Sequence, residues 1–436
     1  MKRGIKIIFG SFIIVCSILV INSVLSYIVI DDADDEVRYA MHELYEQEEI
    51  ETLFLGSSHV FCGYDPRILD EILGENTYLA ATPVQKVDGS YYLLKEVIKN
   101  NNIKKVYLDM FYLQYRDIPA ERGNIQMQWI YCITDNMKNN WNRAEFVLNA
   151  SDCDYYIEGF LPSARYGNYL LDRKRLERIV KSKRTEEYIN YENVPSAFYK
   201  GAYVIPGGQG DPEMIANLDK LGIAEDIISE YSLKYLNKIV ELCKKEEIEL
   251  VLVTTPFTDF YVQALGNYDT FYDYMKNYAK ANAIEYYDFN LCRPELLVME
   301  EDDFVDYHHL SGKGAVKYST AFAEIMASYD EAERQEKFYD SVQEKMDDLP
   351  PQTMGILLQG SMDEEGGYFI TTIANCDVDV EYRICTLDEQ ENEKELIQDF
   401  SDENIIRNLQ KEETAFKITV RNKDTGEVCE EGVINL

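Results

Sequence analysis

The chain has 436 residues, 46% of them hydrophobic, and its net charge at pH 7 is −36 because Asp and Glu (79) outnumber Lys and Arg (43). A chain of this length can form more than one domain and bury a sizeable core. The acidic balance argues against a nucleic-acid-binding protein, which needs many cationic side chains for phosphate. It also disfavours a strongly anionic polymer as the main substrate.

The N-terminus carries a long apolar run. Lys2, Arg3 and Lys6 precede 24 uncharged residues, 7–30, and five acidic residues follow between positions 31 and 36. About 20 apolar residues suffice to cross a bilayer, and the basic end stays on the cytoplasmic side. A cleaved signal peptide is the alternative, but its apolar region is usually shorter and ends at a small-x-small site. We therefore expect an uncleaved single-pass anchor, with the bulk of the chain extracytoplasmic.

An acidic, helix-prone stalk is predicted over residues 31–50, followed by an α/β domain over 51–340. Short apolar strands alternate there with helices whose apolar residues recur at helical spacing. The predicted strands are 51–55, 76–80, 104–108, 250–254 and 284–287, and the predicted helices are 67–73, 87–100, 231–246, 272–282 and 312–328. This alternation indicates a parallel sheet with helices on its faces.

Two segments depart from this rhythm. Residues 111–225 are rich in Trp, Tyr and Phe and are interpreted as an insertion over the sheet edge, whose aromatic side chains either form core or stack on sugar rings. After Pro350-Pro351, residues 350–436 form short alternating runs such as 368–373 and 415–421. Such runs predict a small all-β sandwich.

The nine cysteines lack the CxxC spacing of a zinc site. Buried free thiols are the expected state, and a disulfide of Cys376 with Cys385 or Cys429 is the alternative. No metal-binding motif of His, Cys and carboxylate occurs, so no metal or other cofactor is predicted.

Ser58 is the candidate nucleophile. It follows the apolar run Leu-Phe-Leu and Gly56, which allows a tight turn from strand to helix at the carboxyl edge of the sheet. A serine hydroxyl needs a nearby base to act as a nucleophile, and backbone N–H groups at such a turn can stabilise an oxyanion. A helix-capping serine is the structural alternative.

Asp306 and His309 are the candidate orienter and base. A tight turn can bring the Asp306 carboxylate to Nδ1 of His309 and leave Nε2 to accept the proton of Ser58. Three of the four histidines of the chain lie in these two motifs. His308 is an alternative base, and His59 is a further pocket residue.

The two motifs resemble a known family. Leu-Gly-Ser-Ser-His-Val-Phe-Cys-Gly-Tyr-Asp-Pro (55–66) and Asp-Tyr-His-His-Leu-Ser-Gly-Lys-Gly-Ala (306–315) are similar to the first and last blocks of the SGNH/GDSL hydrolases. The closer likeness is to membrane-anchored members related to DltD and to the alginate acetylation proteins. It covers about residues 50–330 without the insertion. The resemblance implies a three-layer α/β/α sandwich and a Ser-His-Asp triad of Ser58, His309 and Asp306.

The chain departs from the family at the oxyanion hole. The second block has Ala81 and Thr82 where the family has a glycine, and Asp109 follows the third strand without the family's Gly-x-Asn. The oxyanion donors would then be the backbone N–H groups of Ser58 and of Ala81 or Thr82, with Asp109 as a pocket residue. Losing one such donor typically costs about 10²–10³ in rate.

Residues 173–184 form a basic cluster in this acidic chain. A solvated helix face is one interpretation, and a contact with lipid headgroups, an anionic glycan or an acidic partner is the other. The cluster contains seven basic residues: Arg173, Lys174, Arg175, Arg178, Lys181, Lys183 and Arg184.

Two functions are consistent with these features. The first is an anchored, outward-facing serine acyltransferase or esterase for O-acyl groups, foremost O-acetyl, of a cell-surface polysaccharide. The family likeness implies a multi-spanning membrane O-acyltransferase as partner and acyl donor. The second is a catalytically degenerate binding or assembly factor in the same kind of surface-glycan modification complex.

Overall fold

The computed structural model describes residues 2–33, 35–116, 118–119, 122–192, 198–203, 227–265, 267–306, 308–348, 356–362, 368–374, 378–388, 390, 392–409 and 415–435. The helices in these ranges are α1 Lys2–Val29, α2 Glu36–Glu46, α3 Ser58–Gly63, α4 Pro66–Leu73, α5 Val87–Val97, α6 Asn124–Asn136, α7 Trp141–Ala150, α8 Tyr156–Phe160, α9 Arg173–Ser182, α10 Glu186–Ile189, α11 Glu230–Lys245, α12 Asp259–Leu265, α13 Tyr268–Asn282, α14 Gly312–Ser328, α15 Glu331–Gln335 and α16 Val342–Asp348. The strands are β1 Thr52–Gly56, β2 Thr77–Ala81, β3 Lys105–Asp109, β4 Phe198–Tyr199, β5 Ala202–Tyr203, β6 Glu249–Thr254, β7 Glu285–Asp288, β8 Ile356–Met362, β9 Tyr368–Ala374, β10 Val380–Leu387, β11 Glu393–Ser401, β12 Ile405–Leu409, β13 Ala415–Asn422 and β14 Val428–Asn435.

The predicted α/β/α fold with a parallel sheet is confirmed. Five strands pair in the order β2-β1-β3-β6-β7, with helices on the sheet. Strand β1 pairs in parallel with β2 and with β3, and every residue of β1 and β2 is buried. Continuous apolar runs of this kind are typical of strands covered on both faces. All five predicted strands of the sheet are present, each shifted by one residue or less at its ends.

The helix ends differ more from the sequence prediction than the strand ends do. Helix α5 ends at Val97 rather than at residue 100, where the Asn101 side chain accepts the Ile50 N–H and donates to the Val97 carbonyl. Helix α13 begins at Tyr268, four residues earlier than predicted, and the buried Tyr268 hydroxyl donates to Asp288 at 2.7 Å. Tertiary contacts of single side chains therefore set these ends.

By contact density the chain divides into two compact units. The first unit comprises residues 1–61, 74–203 and 228–251, and the second comprises 62–73, 204–227 and 252–436. The first unit holds β1, β2 and β3 together with the insertion helices α6 to α10. The second unit holds β7, α14 and the C-terminal strands.

Helix α1 is the one helix in the described residues that is long and apolar enough to cross a membrane by length and composition; the qualifying stretch is Phe9–Val29, with a mean hydropathy of 2.5. The segment predicted as an acidic stalk forms α2. Residues 37–41 of this helix are all buried, on every side of the helix, and Leu44 is buried one turn later.

The C-terminal residues form the predicted antiparallel sandwich. One sheet has the order β11-β10-β13-β14 and the other β12-β9-β8. Apolar side chains from both sheets share one core, which includes Ile370 and Ile406 from the smaller sheet and Ile384, Phe416 and Ile418 from the larger. Two sheets that bury a common core are the defining feature of a sandwich.

The described cysteines are free thiols. Cys62, Cys243, Cys292 and Cys385 are buried, as the sequence interpretation expects, whereas Cys153 is exposed. Cys385 and Cys429 are both free, and Cys376, their possible partner, lies outside the described residues.

Candidate active site

Ser58 lies at the first residue of α3, directly after β1. The turn between the two elements requires Gly56, because a Cβ at this position would lie 2.5 Å from Cγ2 of Val60 and 2.6 Å from Cβ of Asp109. Real Cβ atoms do not approach carbon atoms this closely. The glycine therefore lets α3 and the end of β3 close over the carboxyl end of β1, with Asp109 beside Gly56.

The two serines of the turn differ in environment. Ser57 is fully buried, and its hydroxyl forms a 3.2 Å hydrogen bond with Nδ1 of His59. Ser58 is only half-buried. His59 is itself buried and packs against Phe111, with ring centroids 4.0 Å apart. Partial exposure makes Ser58 the accessible hydroxyl of the pair, while His59 supports the turn from inside.

The predicted oxyanion residues lie at the end of the neighbouring strand. Ala81 pairs with Gly56 in the β1–β2 register, so Ala81 and Thr82 lie at the same sheet edge as the Ser58 turn. The Thr82 hydroxyl donates to the Gln85 side chain at 3.1 Å, and the Gln85 amide donates to the Ala80 carbonyl. These two polar side chains are engaged with each other, so the predicted oxyanion donors at this edge are backbone N–H groups.

Asp306 and His309 lie in a tight turn of the second unit. The turn is closed by a hydrogen bond from the Val305 N–H to the His309 carbonyl, 2.8 Å, and by an antiparallel bridge between Phe304 and Leu310. Below the turn, the buried Asp303 accepts the Ser311 N–H through its carbonyl.

Two lysines and a glycine hold Asp303 in place below the turn. The Asp303 carboxylate forms ion pairs with Lys313, at 3.4 Å, and with Lys317. Gly314 is required because a Cβ there would lie 1.9 Å from the Asp303 carbonyl oxygen. The turn is thus fixed to the start of α14, whose first turn is capped by Ser311.

The Asp306 carboxylate organises the turn. Oδ1 accepts the backbone N–H groups of His308 and His309 at 2.9 and 2.8 Å, and Oδ2 lies 2.7 Å from Nδ1 of His309. Burial alone would raise the pKa of Asp306, but the His309 hydrogen bond, the two imidazoles and the backbone N–H of His308 hold that pKa well below its usual range.

The tautomer of His309 follows from this contact. An ionised carboxylate only accepts hydrogen bonds, so Nδ1 of His309 carries the proton and Nε2 is the basic nitrogen. This is the arrangement that a base needs when a carboxylate orients it.

His308 is the weaker candidate for the base. Its Nδ1 lies 3.9 Å from Oδ1 of Asp306, beyond hydrogen-bond distance, and its ring packs between His309, at 4.2 Å, and Tyr261, at 5.5 Å. Burial, followed by the positive charge of a protonated His309, lowers the pKa of His308 to about 4. His308 is therefore a neutral packing residue near pH 7.

The predicted site residues fall into two sets. Ser58, His59, Ala81, Thr82 and Asp109 lie within the first unit, and Asp306, His308 and His309 lie within the second. Two aromatic neighbours were missed by the sequence interpretation: Phe111 contacts His59 and Tyr261 contacts His308. No spacing rule identifies them, because Tyr261 and His308 are 47 positions apart.

A cavity elsewhere in the first unit has a volume of about 1120 Å³. The C-terminal half of α1 and the insertion line it, with Asn22, Ser26, Tyr131, Asp135 and Arg165 among the lining residues. Neither Ser58 nor the Asp306–His309 pair lines this cavity.

Comparisons with known proteins give distant likenesses. One family model matches residues 215–329, a stretch that contains the Asp306–His309 motif but not Ser58. Among curated proteins no relative of the chain is found. A GDSL-like lipase from Bacteroides thetaiotaomicron is 11% identical, with 67% of this chain and 97% of that chain covered and a TM-score of 0.30. A structure described as that of an acylhydrolase from Bacteroides fragilis is 11% identical, with 68% and 96% covered and a TM-score of 0.31.

Proposed function

We propose that the chain is a membrane-anchored, extracytoplasmic serine acyltransferase or esterase that acts on O-acyl groups, foremost O-acetyl, of a cell-surface polysaccharide. The observation that carries the proposal is the 2.7 Å contact between Nδ1 of His309 and Oδ2 of Asp306, which makes Nε2 the basic nitrogen. The half-buried Ser58 at a strand-to-helix turn is the nucleophile that this base serves.

The proposed reaction uses one acyl-enzyme. Ser58 Oγ attacks the acyl carbonyl carbon while Nε2 of His309 accepts the hydroxyl proton, and Asp306 stabilises the imidazolium that forms. The oxyanion is held by the backbone N–H groups of Ser58 and of Ala81 or Thr82. When the intermediate collapses, His309 returns the proton to the leaving oxygen and the acyl group stays on Ser58. A sugar hydroxyl or water then attacks the ester by the same route in reverse.

The contacts of α1 support a retained anchor over a cleaved signal peptide. Oδ1 of Asn22 accepts the N–H and the hydroxyl of Ser163 at 3.2 and 2.8 Å, and Val29 is fully buried. The Tyr27 hydroxyl donates to the Lys183 carbonyl at 3.3 Å. Removing α1 would leave these groups of the folded insertion without their partners, which favours a helix that stays attached.

The substrate and the partner follow from charge and from the family likeness. A net charge of −36 favours a neutral glycan over a polyanion. Membrane-anchored proteins of the family that the two motifs resemble act beside a multi-spanning O-acyltransferase, and such a protein is the proposed acyl donor. No cofactor enters the proposed reaction.

Labelling with a fluorophosphonate tests the nucleophile. The purified full-length protein in detergent is expected to react at one serine, and Ser58→Ala is expected to abolish the signal. Ser57→Ala is the matched control, because Ser57 is buried beside the reacting residue and should not carry the label. Labelling that survives in Ser58→Ala would disprove the assignment.

A binding or assembly factor without catalysis is the second candidate. The observation in its favour is the oxyanion edge, where Thr82 and Gln85 bind each other and no Gly-x-Asn follows β3. Turnover of p-nitrophenyl acetate separates the two candidates. Folded protein that shows neither turnover nor labelling supports the binding factor, whereas either activity, lost in Ser58→Ala, supports the enzyme.

A further inference from the structure

Helix α9 has a cationic face in a strongly acidic protein. Lys174, Arg178 and Lys181 recur at i, i+4 and i+7, which places them on one side of the helix, and all three are exposed. Ile179, on the other side, is fully buried. Within the described residues, neither Lys174 nor Lys181 forms an ion pair, and Glu177 on the same side of the helix is paired with Arg173.

This cationic face is tied to the outer end of α1. Arg178 forms a 2.7 Å ion pair with Asp31, the first charged residue after the apolar run. The buried Lys183 forms a 2.7 Å ion pair with Asp32. The pairs join the middle and the C-terminal end of α9 to the residues where the apolar run stops, which is the level of lipid headgroups if α1 spans the bilayer.

The segment before α9 lies deeper along the same helix. The 3₁₀ helix Pro162–Tyr169 begins beside Asn22, through the two hydrogen bonds of Ser163. Nine residues separate Asn22 from Asp31, a rise of about 13 Å along a helix. Because α1 has 28 residues and is about 42 Å long, it exceeds the ~30 Å hydrocarbon core. Residues 162–184 therefore run alongside the part of α1 that reaches the headgroup and upper acyl region.

Between these two attachments the chain exposes apolar side chains. Tyr169, Leu170 and Leu171 are 43%, 42% and 94% exposed, and only Asp172, the N-cap of α9, separates them from the basic residues of that helix. Ile157 on α8 is 67% exposed, and α8 adjoins the 3₁₀ helix. An exposed apolar cluster next to Lys and Arg is the signature of a segment that lies in a membrane interface.

We propose that residues 157–184 lie on the outer leaflet, with Leu170 and Leu171 among the acyl chains and the cationic face of α9 on anionic lipid headgroups. The proposal rests on the anchor proposed above. An anionic glycan or an acidic protein would also be attracted to the lysines. Lipid is favoured because the adjoining apolar side chains need an apolar partner and because the segment is joined to the membrane-spanning candidate.

The first test measures the depth of Leu171. The full-length Leu171→Trp variant is reconstituted in phosphatidylcholine nanodiscs, and its fluorescence is compared with that of the parent protein, which supplies the background of Trp129 and Trp141. Lipids brominated on the acyl chain are expected to quench at least half of the added signal, and aqueous iodide little of it. An added tryptophan that iodide quenches and brominated lipid does not would overturn the proposal.

The second test needs no substitution. Acetylation of lysines by a neutral N-hydroxysuccinimide ester is followed by mass spectrometry in nanodiscs of phosphatidylcholine with and without 30% phosphatidylglycerol. Anionic lipid is expected to slow acetylation of Lys174 and Lys181 roughly fivefold, the effect of one lysine at an anionic surface. Lys244 and Lys245, exposed at the end of α11, are the matched internal control and should change less than twofold.

The remaining outcomes are distinct. Equal acetylation of Lys174 and Lys181 in both lipids overturns the headgroup contact. Protection by dissolved polygalacturonate, without protection by phosphatidylglycerol, assigns the face to an anionic glycan instead. Ser58 labelling measured in the same nanodiscs keeps the two proposals separate, because normal labelling with no lipid contact counts against this inference alone. Release of the protein from membranes by alkaline carbonate counts against the anchor itself.

Discussion

The turn that carries Ser58 and the turn that carries Asp306 and His309 are held by different interactions. The Ser58 turn is fixed by close packing, because a Cβ placed at Gly56 would lie only 2.5–2.6 Å from carbon atoms of Val60 and Asp109. The Asp306 turn is fixed by polar contacts, since one carboxylate accepts two backbone N–H groups and the His309 imidazole. The first turn should therefore be sensitive to volume, and the second to charge and hydrogen-bonding capacity.

The largest predicted effect is a loss of catalytic rate when the charge and the hydrogen bonding of the Asp306 turn are changed. In Asp306→Asn the amide that replaces Oδ2 is a donor facing the Nδ1 proton of His309, so the histidine loses its orienting acceptor and its stabilised cation. We expect the rate of acyl transfer or hydrolysis to fall about 10²–10⁴-fold in Asp306→Asn, and at least as far in His309→Gln. The measurement is kcat/KM with an aryl acetate, together with the rate of fluorophosphonate labelling.

Asp302→Asn is the matched control for this prediction. Asp302 is an exposed carboxylate near the same turn, paired with Lys313 at 2.6 Å. Its substitution should leave the rate within about twofold of the parent, as for most exposed ion pairs. If Asp306→Asn behaves like Asp302→Asn, the carboxylate is only a structural cap of the turn.

The next largest predicted effect is a loss of stability when side-chain volume is added in the Ser58 turn. In Gly56→Ala the new methyl group meets Val60 and Cβ of Asp109, and the latter moves only with the end of β3. We expect the free energy of unfolding to fall by about 1–3 kcal/mol, the usual cost of overpacking a well-packed site. Urea denaturation of the full chain in detergent measures the change.

Gly167→Ala provides the comparison in the same unit. No heavy atom lies within 4 Å of a Cβ placed at Gly167. This substitution should leave the stability unchanged within about 0.5 kcal/mol or raise it slightly, because alanine restricts the unfolded chain. Equal stability of the two variants would show that the Ser58 turn can relax and is not held by packing.

The smallest effect concerns the pH dependence of the Asp306 turn. The pKa of His308 is about 4 in the folded chain, below the usual value near 6.5. Between these values the unfolded chain binds the proton and the folded chain does not, so stability falls as pH decreases from about 6.5 to 4. His308→Gln removes this proton and should reduce the loss of stability between pH 7 and pH 5 by roughly 1 kcal/mol, given that the side chain is 26% exposed.

His42→Gln is the control for the pH series. His42 stacks on Tyr191 in the first unit, at 3.5 Å between ring centroids. Thermal unfolding of the parent and of both variants is compared at pH 5, 6 and 7. A pH dependence that stays the same in His308→Gln would mean that His308 is protonated in the folded chain, contrary to its packing against Tyr261 and His309.

Local patterns in the sequence were enough to predict the strands of the parallel sheet, the Asp306–His309 contact and the apolar span. The apolar runs before Gly56 and before Asp109 predict strands because alternation of short apolar runs with helical spacing is a short-range signal. The Asp306–His309 contact is also local, since three residues on a tight turn bring the side chains together. The apolar run 7–30 indicates a span by length alone.

Tertiary packing decided what those patterns left open. The sequence Gly-Ser-Ser offers two serines, and only burial of Ser57 against His59 distinguishes them. The two adjacent histidines are likewise equivalent in sequence, but His309 faces the carboxylate at 2.7 Å whereas His308 packs on Tyr261.

The attachment of the insertion to α1 was also invisible in the sequence. Asn22 and Ser163 are 141 positions apart, and nothing in either neighbourhood indicates that they bind each other. Composition and periodicity report which side chains prefer burial and at what spacing, because these are properties of short segments. Which serine, which histidine and which surface is left exposed depends on contacts between distant segments, and those exist only in the folded chain.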